Sequence, residues 1–348
     1  MCAKLKAAII GMGEGFRHIE AYQKCSDFEL TAICDIDPER MEKRIKEYNL
    51  PSSIKQYTDY KDIVADKDID VVSCASPDFD HAEQCVALMN SGKHIFCEKP
   101  MTLDLEEARS IVNTAKATKR AFMVCHPTRY TPAFVLARKM IKRGDLGQLF
   151  MVESEYAHNY RGMDRCAIKN WRKDARRDPL LGGGCHAVDL IRWIADDQME
   201  HAFAFGTNIA MPDWPIEFDS YMATYKFKSG IIGKVMCSIG IARPYTMRSV
   251  FYGTKGTIIC DNMSNTMQLS SVPFYDYDTP RDESPFITIP VEVNHHNVMH
   301  QVQLMADVIL RGAEIHAGAV EGARTVAACV AAIESAKTGK RVDVEWDF

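Results

Sequence analysis

The stretch LLGGGCHAVDLIRWI, residues 180–194, places a histidine just after three consecutive glycines. Glycine allows positive φ and close approach of the backbone, whereas Val188, Ile191 and Trp193 give the following segment an apolar face. The pattern predicts a strand end or loop that breaks at the glycines, followed by an amphipathic helix with His186 in its first turn. An imidazole held there beside open space can act as a general base. A structural hydrogen bond is the commoner role for such a histidine when the stretch is taken alone.

A second glycine-rich turn, AAIIGMGEGFRHIEAY, follows the first apolar run. Gly11, Gly13 and Gly15 stand between a predicted buried strand and a predicted helix, where backbone amides can bind a pyrophosphate. Met12, between the first two glycines, belongs to this predicted cofactor-binding set. The spacing departs from G-x-G-x-x-G, and a turn one residue shorter would give Gly15 the role of the third glycine.

An acidic residue follows at the separation expected of a ribose-binding carboxylate. Asp35 ends the next predicted strand, AICDID, 24 residues after Gly11 (35 − 11). Its carboxylate would bind the adenosine ribose diol and repel a 2′-phosphate. NAD is therefore expected rather than NADP, although Arg40 could weaken this preference.

Polar residues also follow later predicted strands. Ser76 and Pro77 come after DVVSCA, and Glu98 and Lys99 come after HIFC. Doubly wound folds bind ligands at this carboxyl edge of the sheet, so all four are predicted to line the cofactor site. His81, in SPDFDHAEQC, either contacts the nicotinamide half of the cofactor or serves only as a helix-start residue.

The segments that must position these residues fall into two predicted domains. Residues 1–124 alternate short apolar strands with helix-length segments, which is typical of an α/β, doubly wound parallel sheet of the Rossmann type. Residues 125–348 alternate apolar and polar residues between glycine-containing turns and end in two helices. This second pattern predicts an α+β domain with a large, mostly antiparallel open sheet.

Composition narrows the classes of partner. The 348 residues carry a formal net charge of -5, which gives no electrostatic reason to expect nucleic acid or an anionic membrane. The 12 cysteines are scattered without a C-x-x-C pair, and no run of 18 apolar residues occurs. We therefore expect a cytoplasmic protein with a small-molecule ligand, no membrane segment and no metal site.

Seven segments together resemble a known family. They are IIGMGEGFRH, AICDIDPER, ASPDFDHAEQCVALMNSGKHIFCEKPMTLDLEEA, RYTPAF, GDLGQL, GGGCHAVDLIRW and YGTKGTI. They occur in the order found in the glucose-fructose oxidoreductase, inositol dehydrogenase and rhizopine-catabolism (Gfo/Idh/MocA) family, and E-K-P is the most specific of these elements. The resemblance covers essentially the whole chain. It implies NAD(P)-dependent oxidation or reduction of a CH–OH group on a sugar, inositol-like polyol or glycoside, by a homodimer or homotetramer that assembles through the open sheet.

The resemblance also implies catalytic roles. Lys99 matches the lysine that orients the reacting hydroxyl, and His186 matches the histidine that removes its proton. Many members carry an aspartate four residues before this histidine, where this chain has Gly182. Asp189, three residues after His186, could orient the imidazole instead or could be purely structural.

A basic stretch precedes the glycines. Residues 161–179 hold seven Lys or Arg against three Asp, which could clamp an anionic or polyhydroxylated substrate or form a solvated loop or subunit contact. Within it, Trp171 offers a face for stacking on a sugar and Arg172 offers hydrogen bonds. Arg129, in HPTRYTP, is a weaker candidate for substrate binding.

Two alternatives to the dehydrogenase hypothesis remain at this point. One is a glycoside-cleaving enzyme that retains NAD and performs no net redox change, which the missing aspartate favours. The other is a non-catalytic, dinucleotide-binding regulator, although the presence of both Lys99 and His186 argues against it.

Overall fold

The predicted parallel strands form one sheet in the computed structural model, which describes residues 4–162, 171–271, 285–294 and 298–348. Within these residues the sheet has six strands in the order β3-β2-β1-β4-β5-β6, all parallel. The strands are β1 (Leu5–Ile10), β2 (Phe28–Cys34), β3 (Lys55–Tyr57), β4 (Val71–Cys74), β5 (His94–Cys97) and β6 (Phe122–Val124). The order reverses between β1 and β4, which creates the crevice where doubly wound sheets bind ligands.

Five helices connect these strands: α1 (Phe16–Lys24), α2 (Pro38–Glu47), α3 (Tyr60–Ala65), α4 (His81–Asn90) and α5 (Leu105–Thr118). Side-chain caps begin three of them. Asp37 accepts hydrogen bonds from the backbone of Glu39 and Arg40 at the start of α2, and Asp59 and Asp104 cap α3 and α5 in the same way. Caps of this kind satisfy the free N–H groups of the first helical turn. The Rossmann prediction is confirmed.

The second sheet has nine strands among the described residues, in the order β14-β13-β12-β11-β7-β10-β9-β8-β15. Its neighbouring strands are antiparallel except for β7 and β10, which are parallel. The strands are β7 (Leu149–Ala157), β8 (Met199–Thr207), β9 (Ser220–Phe227), β10 (Ile232–Ser238), β11 (Ser249–Gly253), β12 (Gly256–Cys260), β13 (Thr266–Ser271), β14 (Ile287–Pro290) and β15 (Val342–Asp343). The predicted large, mostly antiparallel sheet is confirmed.

Four further helices complete the described chain: α6 (Pro132–Arg143), α7 (Cys185–Ala195), α8 (Val298–Arg311) and α9 (Ala319–Thr338). Helix α7 packs on one face of the nine-stranded sheet, where Ile191 lies against Gly233 of β10. On α9, the carbonyl oxygen of Ala328 accepts a hydrogen bond from the hydroxyl of Tyr225 on β9 (3.2 Å). No helix of the described residues is both long and apolar enough to cross a membrane.

The chain divides by its contacts into two compact units. Residues 1–126, 297–326 and 348 form the first unit, and residues 127–296 and 327–347 form the second. This division differs from the predicted one because α8 belongs to the first unit. There its Val298, Val302 and Met305 join the core that contains Ile19 of α1.

The three consecutive glycines do not break the chain as predicted. Residues Leu180–Gly184 form one turn of π-helix that continues directly into α7. Their φ angles are not positive, and that of Gly184 is −59°. Close packing explains the glycines instead. A Cβ at Gly183 would lie 2.3 Å from the ring of Tyr156, and one at Gly184 would lie 2.9 Å from Cys237 Sγ.

Candidate active site

In the first unit, the glycine turn joins β1 to α1 at the point where the strand order reverses. Gly11 has φ +88°, and a Cβ there would lie 2.3 Å from the carbonyl oxygen of Ala75. A Cβ at Gly15 would lie 2.2 Å from the carbonyl oxygen of Gly11, so Gly15 takes the close-packing role of a third glycine. A Cβ at Gly13 would meet no described atom within 4 Å. The turn is thus closely packed at Gly11 and Gly15 and open at Gly13. This shape fits a diphosphate at the positive N-terminus of α1.

Asp35, at the end of β2, is bound to this turn. Its Oδ2 accepts a hydrogen bond from the backbone N–H of Met12 (2.7 Å), and its Oδ1 accepts one from Asp37 (3.0 Å). Arg40 Nη1 donates to the same carboxylate at 3.0 Å. Asp35 therefore fixes the conformation of the glycine turn, and Arg40 balances its charge in part.

Met12, between the first two glycines, also supports the turn. Its side chain is fully buried in the core of the first unit, and its N–H donates a hydrogen bond to Asp35. Its predicted contact with the cofactor stays a prediction.

Glu98 and Lys99 follow β5 as predicted, and the structure adds a partner for Glu98. His18 Nε2 donates to Glu98 Oε1 (3.0 Å), while Glu98 Oε2 accepts a hydrogen bond from the backbone N–H of Lys99 (3.1 Å). Burial alone would raise the pKa of Glu98, but the bond from His18 and the charge of Lys99 outweigh it and hold that pKa well below its usual range. The ionised Glu98 places a negative charge beside Lys99.

His18, Glu98 and Cys125 also bring three potential metal-binding atoms within 4.8 Å of one another. The direct bond between His18 and Glu98 accounts for two of these atoms. Burial raises the pKa of the Cys125 thiol well above its usual value, which disfavours the thiolate that a metal ion binds. We therefore assign this cluster to the structure of the first unit.

His81 begins α4, and its ring contacts backbone rather than open space. Nδ1 lies 2.9 Å from the carbonyl oxygen of Pro100, and Nε2 lies 3.0 Å from that of Ser76. The side chain is fully buried. His81 thus ties the end of β4, with Ser76 and Pro77, to the loop that carries Lys99. This geometry favours the structural alternative for His81 over cofactor contact.

In the second unit, Arg129 and Asp189 are joined to each other. Arg129 Nε donates to Asp189 Oδ2 (2.8 Å) and Nη2 donates to Oδ1 (2.7 Å), and their side chains are only 3% and 0% exposed. Arg192 Nη2 lies 3.7 Å from the same carboxylate. Arg129 was the weaker candidate for substrate binding, and Asp189 was expected either to orient His186 or to be purely structural. The two-point, buried ion pair favours a structural role for both side chains, and their roles at the substrate stay predictions.

His186 lies in the first turn of α7, as predicted, but only 3% of it is exposed, so it does not lie beside open space in the described residues. Its ring stacks on Tyr156 of β7. The ring centroids are 6.1 Å apart and the planes are inclined by 27°. The Tyr156 hydroxyl is hydrogen-bonded to His158 Nδ1 (2.9 Å) and to the hydroxyl of Tyr160 (3.1 Å). Burial, together with Tyr160 and Tyr245, raises the pKa of Tyr156 well above its usual value. Tyr156 is therefore a neutral phenol that can donate a hydrogen bond.

Trp171 and Arg172 lie together, as the sequence suggested. The Arg172 guanidinium lies 4.6 Å from the centre of the Trp171 ring, and the Arg177 guanidinium lies 4.8 Å from the same ring. Lys173 lies 5.2 Å from the centre of the Trp214 ring. The segment thus combines aromatic faces with cations, and its predicted contact with substrate stays a prediction. Arg165 and Lys169 of the basic stretch lie outside the described residues.

Sequence reasoning missed Tyr156, His158 and Tyr160. Their spacing of two along EYAHNY was the available signal, because alternate residues of a strand share one face. His18 carried no such signal, since its partner Glu98 is 80 residues away.

Known family models match both parts of the chain. Residues 5–126 match the family model described as oxidoreductase family, NAD-binding Rossmann fold, and residues 134–259 match the GFO/IDH/MocA C-terminal domain. The two matches together cover more than two thirds of the chain.

Two curated relatives and one solved structure illustrate the range of similarity. An inositol 2-dehydrogenase/D-chiro-inositol 3-dehydrogenase of Lactiplantibacillus plantarum is 28% identical over 58% of this chain and 55% of that protein. A glycosyl hydrolase family 109 protein of Shewanella sp. is 33% identical over 45% of this chain and 36% of that protein. A levoglucosan dehydrogenase in complex with NADH is 22% identical, with a TM-score of 0.87 over 99% of this chain and 100% of that one.

The matched region spans about half the length of the inositol dehydrogenase and about a third of the glycosyl hydrolase. The structural likeness shows the fold. The two family models and the glycine turn at the switch point of the first sheet agree with each other. The chain belongs to the Gfo/Idh/MocA oxidoreductase family, whose N-terminal domain has an NAD-binding Rossmann fold.

Proposed function

We propose that this protein is an NAD-dependent dehydrogenase that oxidises a CH–OH group of a sugar or polyol. The observation that carries this proposal is the glycine turn, which Asp35 fixes and which is open at Gly13. Such a turn at a strand-to-helix junction binds the diphosphate of a dinucleotide through backbone N–H groups. The carboxylate of Asp35 at the end of β2 supports NAD over NADP.

When bound at this turn, NAD would supply the hydride acceptor for the carbinol carbon. Lys99 holds the hydroxyl oxygen. The neighbouring Glu98 carboxylate accepts a hydrogen bond from the Lys99 backbone and attracts the lysine charge. His186 removes the hydroxyl proton, so that the C–OH group becomes a carbonyl and one proton is released. Tyr156 stacks on the imidazole and limits its rotation. Trp171 and Arg172 are proposed to contact the rest of the substrate.

The test is the appearance of NADH absorbance with purified protein, NAD and a panel of sugars, inositols, uronates and glycosides. The wild type should reduce NAD with at least one compound class, and Lys99→Ala and His186→Ala should each lower kcat by at least about 100-fold. His201→Ala is the matched control, because His201 is partly exposed and pairs with Asp343. NAD reduction that survives in His186→Ala would overturn the assignment of the base.

The second candidate function is that of a redox-neutral glycosidase that retains NAD. The similarity to a glycosyl hydrolase family 109 protein is the observation that favours it. In that case a glycoside would release its aglycone while no free NADH accumulates. Measuring NADH and aglycone in the same reaction separates the two candidates.

We also propose that the protein forms a homo-oligomer through the face of the nine-stranded sheet that α7 leaves open. Phe205 of β8, Met222 of β9 and Ile232 of β10 have 68%, 45% and 49% of their surface exposed. Phe205 and Met222 are direct cross-strand neighbours, so their side chains form one apolar patch. Light scattering should find a dimer or tetramer. The double variant Phe205→Glu/Met222→Glu should shift the oligomeric state toward the monomer.

A cytoplasmic location is part of the same proposal. Ten cysteines of the described chain are buried free thiols, including Cys74, Cys85 and Cys97. Burial raises the pKa of Cys97 and of other thiols among them, which keeps them protonated and unreactive. Thiols of this kind are in keeping with a reducing compartment.

A further inference from the structure

His18 lies in the first turn of α1, just after the glycine turn, and its ring is held from three sides. Its Nδ1 lies 3.0 Å from the hydroxyl oxygen of Ser73 on β4, and its Nε2 lies 3.0 Å from Oε1 of Glu98, after β5. The ring also packs on Phe96 of β5, with the ring centroids 5.0 Å apart. None of its surface is exposed. A side chain of α1 therefore joins the carboxyl ends of two neighbouring strands.

The hydrogen bonds around His18 form a chain with one direction of donation. The hydroxyl oxygens of Tyr22 and Ser73 are 2.8 Å apart, and burial raises the pKa of Tyr22 well above its usual value, so Tyr22 is a neutral donor. An ionised carboxylate only accepts, so the hydrogen on Nε2 of His18 points to Glu98. Ser73 then donates to Nδ1 and accepts from Tyr22. This order satisfies the donors and acceptors of all three side chains and fixes the plane of the imidazole.

Glu98 links this chain of bonds to the loop that carries Lys99. Its Oε1 accepts from His18, and its Oε2 accepts from the backbone N–H of Lys99 (3.1 Å). The bond from His18 is also the strongest effect that opposes burial in lowering the pKa of Glu98. A carboxylate held at both oxygens has little freedom to rotate. The direction of the Lys99 N–H, and the negative charge beside that lysine, therefore depend on His18.

We propose that His18 is a positioning residue for the oxidation, acting through Glu98 to hold Lys99 at the reacting hydroxyl. This inference rests on the proposed dehydrogenase function and adds to it a side chain that reaches Lys99 only through its neighbour. Position matters because a displacement of about 1 Å at a group that holds the substrate can cost about 100-fold in rate. The balance of the reaction is unchanged, since His18 neither gains nor loses a proton in it.

A positioning role and a purely structural role change different kinetic constants. The backbone N–H of His18 donates to the carbonyl oxygen of Gly15 (3.0 Å), so His18 also lies next to the turn proposed to bind the dinucleotide. If its side chain only supported that turn, its loss would weaken dinucleotide binding and raise the KM for NAD. If it acts through Glu98 on Lys99, its loss lowers kcat, because Lys99 holds the hydroxyl during the oxidation.

The experiment measures kcat and the KM for NAD by NADH formation, with the compound of the panel that the wild type oxidises fastest. His18→Leu removes the donor to Glu98 and should lower kcat by about 10- to 100-fold, the value of one charge-assisted bond, with the KM for NAD changed by less than about 3-fold. His18→Gln keeps an N–H donor and should recover part of kcat. Glu98→Gln should lower kcat by itself, and His18→Leu added to it should cost less than about 3-fold more, because both substitutions break the same bond.

His94→Gln is the matched control variant. His94 is partly buried, and its Nδ1 accepts a hydrogen bond from the backbone N–H of Ala121 (2.9 Å). It lies at the amino end of β5, away from the loop that carries Lys99, so its replacement should leave kcat unchanged. If His18→Leu fails to fold, Ser73→Ala decides, because it removes only the donor to Nδ1 and leaves the imidazole in place. It should lower kcat by about 3- to 10-fold, the value of one neutral hydrogen bond, and leave the KM for NAD unchanged.

The possible results separate the inference from the proposed function. A higher KM for NAD with unchanged kcat in His18→Leu, or in Ser73→Ala where His18→Leu does not fold, would overturn the inference and leave the dehydrogenase proposal intact. Losses of kcat that simply multiply in the double variant of His18 and Glu98 would do the same. If the wild type reduces NAD with no compound, the proposed function fails, and the inference is overturned with it.

Discussion

The buried ion pair between Arg129 and Asp189 allows a demanding test of how the second unit is held together. Arg129→Met would remove this two-point contact, while Arg192 stays 3.7 Å from the Asp189 carboxylate. Asp189→Asn would leave two buried guanidinium groups near each other. Removing one partner of a buried pair typically costs about 3 to 5 kcal/mol of unfolding free energy. We expect Arg129→Met at the lower end of that range and Asp189→Asn at the upper end.

The double variant is the informative one. Because both substitutions break the same ion pair, the double variant should cost about the same as Asp189→Asn alone, well below the sum of the two single costs. Arg176→Met is the surface control, since Arg176 makes the same two-point contact with Asp174 but is mostly exposed. Its cost should be about 1 kcal/mol or less.

Urea unfolding followed by tryptophan fluorescence suits this test. The four tryptophans, Trp171, Trp193, Trp214 and Trp346, all belong to the second unit, so the signal reports that unit. Additive costs, or a cost near 1 kcal/mol for Arg129→Met, would refute the structural role of the pair. A large rise in KM with little loss of stability in Arg129→Met would instead restore its predicted contact with substrate.

Three further predictions concern pH, cofactor choice and the glycine turn. Burial raises the pKa of Asp178 to about 6, so the stability it contributes is complete below the ordinary carboxyl pKa and is lost as pH rises through 6. Asp178→Asn removes that loss. The unfolding free energy of the variant minus that of wild type, measured from urea curves, should therefore rise by about 2 to 3 kcal/mol between pH 4 and pH 7. A difference that does not change with pH would contradict the burial argument. Asp35→Ser frees Arg40 for a 2′-phosphate and should shift the kcat/KM ratio toward NADP by at least about 10-fold, whereas an unchanged ratio would remove Asp35 from cofactor selection. Gly15→Ala places a Cβ against backbone and should lower the melting temperature, while Gly13→Ala should leave it unchanged and weaken NADH binding in a fluorescence titration; equal effects of the two would contradict the assigned roles.

The first unit was largely predictable because its signals are local. Buried apolar runs bounded by turn residues marked the strands, and the glycines and Asp35 marked the ends of β1 and β2. The position of α8 was not predictable in the same way. Its apolar face showed that it packs on something, but periodicity does not say on which unit.

The second unit shows why candidate sites are harder to predict than folds. The run Gly182–Gly184 was predicted to break the chain, because glycine is a poor helix former. In the structure, contacts with Tyr156 and Cys237 favour glycine at positions 183 and 184, and the helical turn persists. Likewise, Arg129 and Asp189 look like separate site residues in the sequence and become partners only once the chain is folded.

The most direct test of the proposed function follows the hydrogen atom itself. A substrate identified in the panel is labelled with deuterium at the reacting carbinol carbon, and the cofactor is analysed by mass spectrometry after turnover. The proposed function predicts that the NADH formed carries one deuterium, that the product is a carbonyl compound, and that His186→Ala forms neither. Product that contains the label while the cofactor remains unlabelled and oxidised would contradict net hydride transfer to NAD.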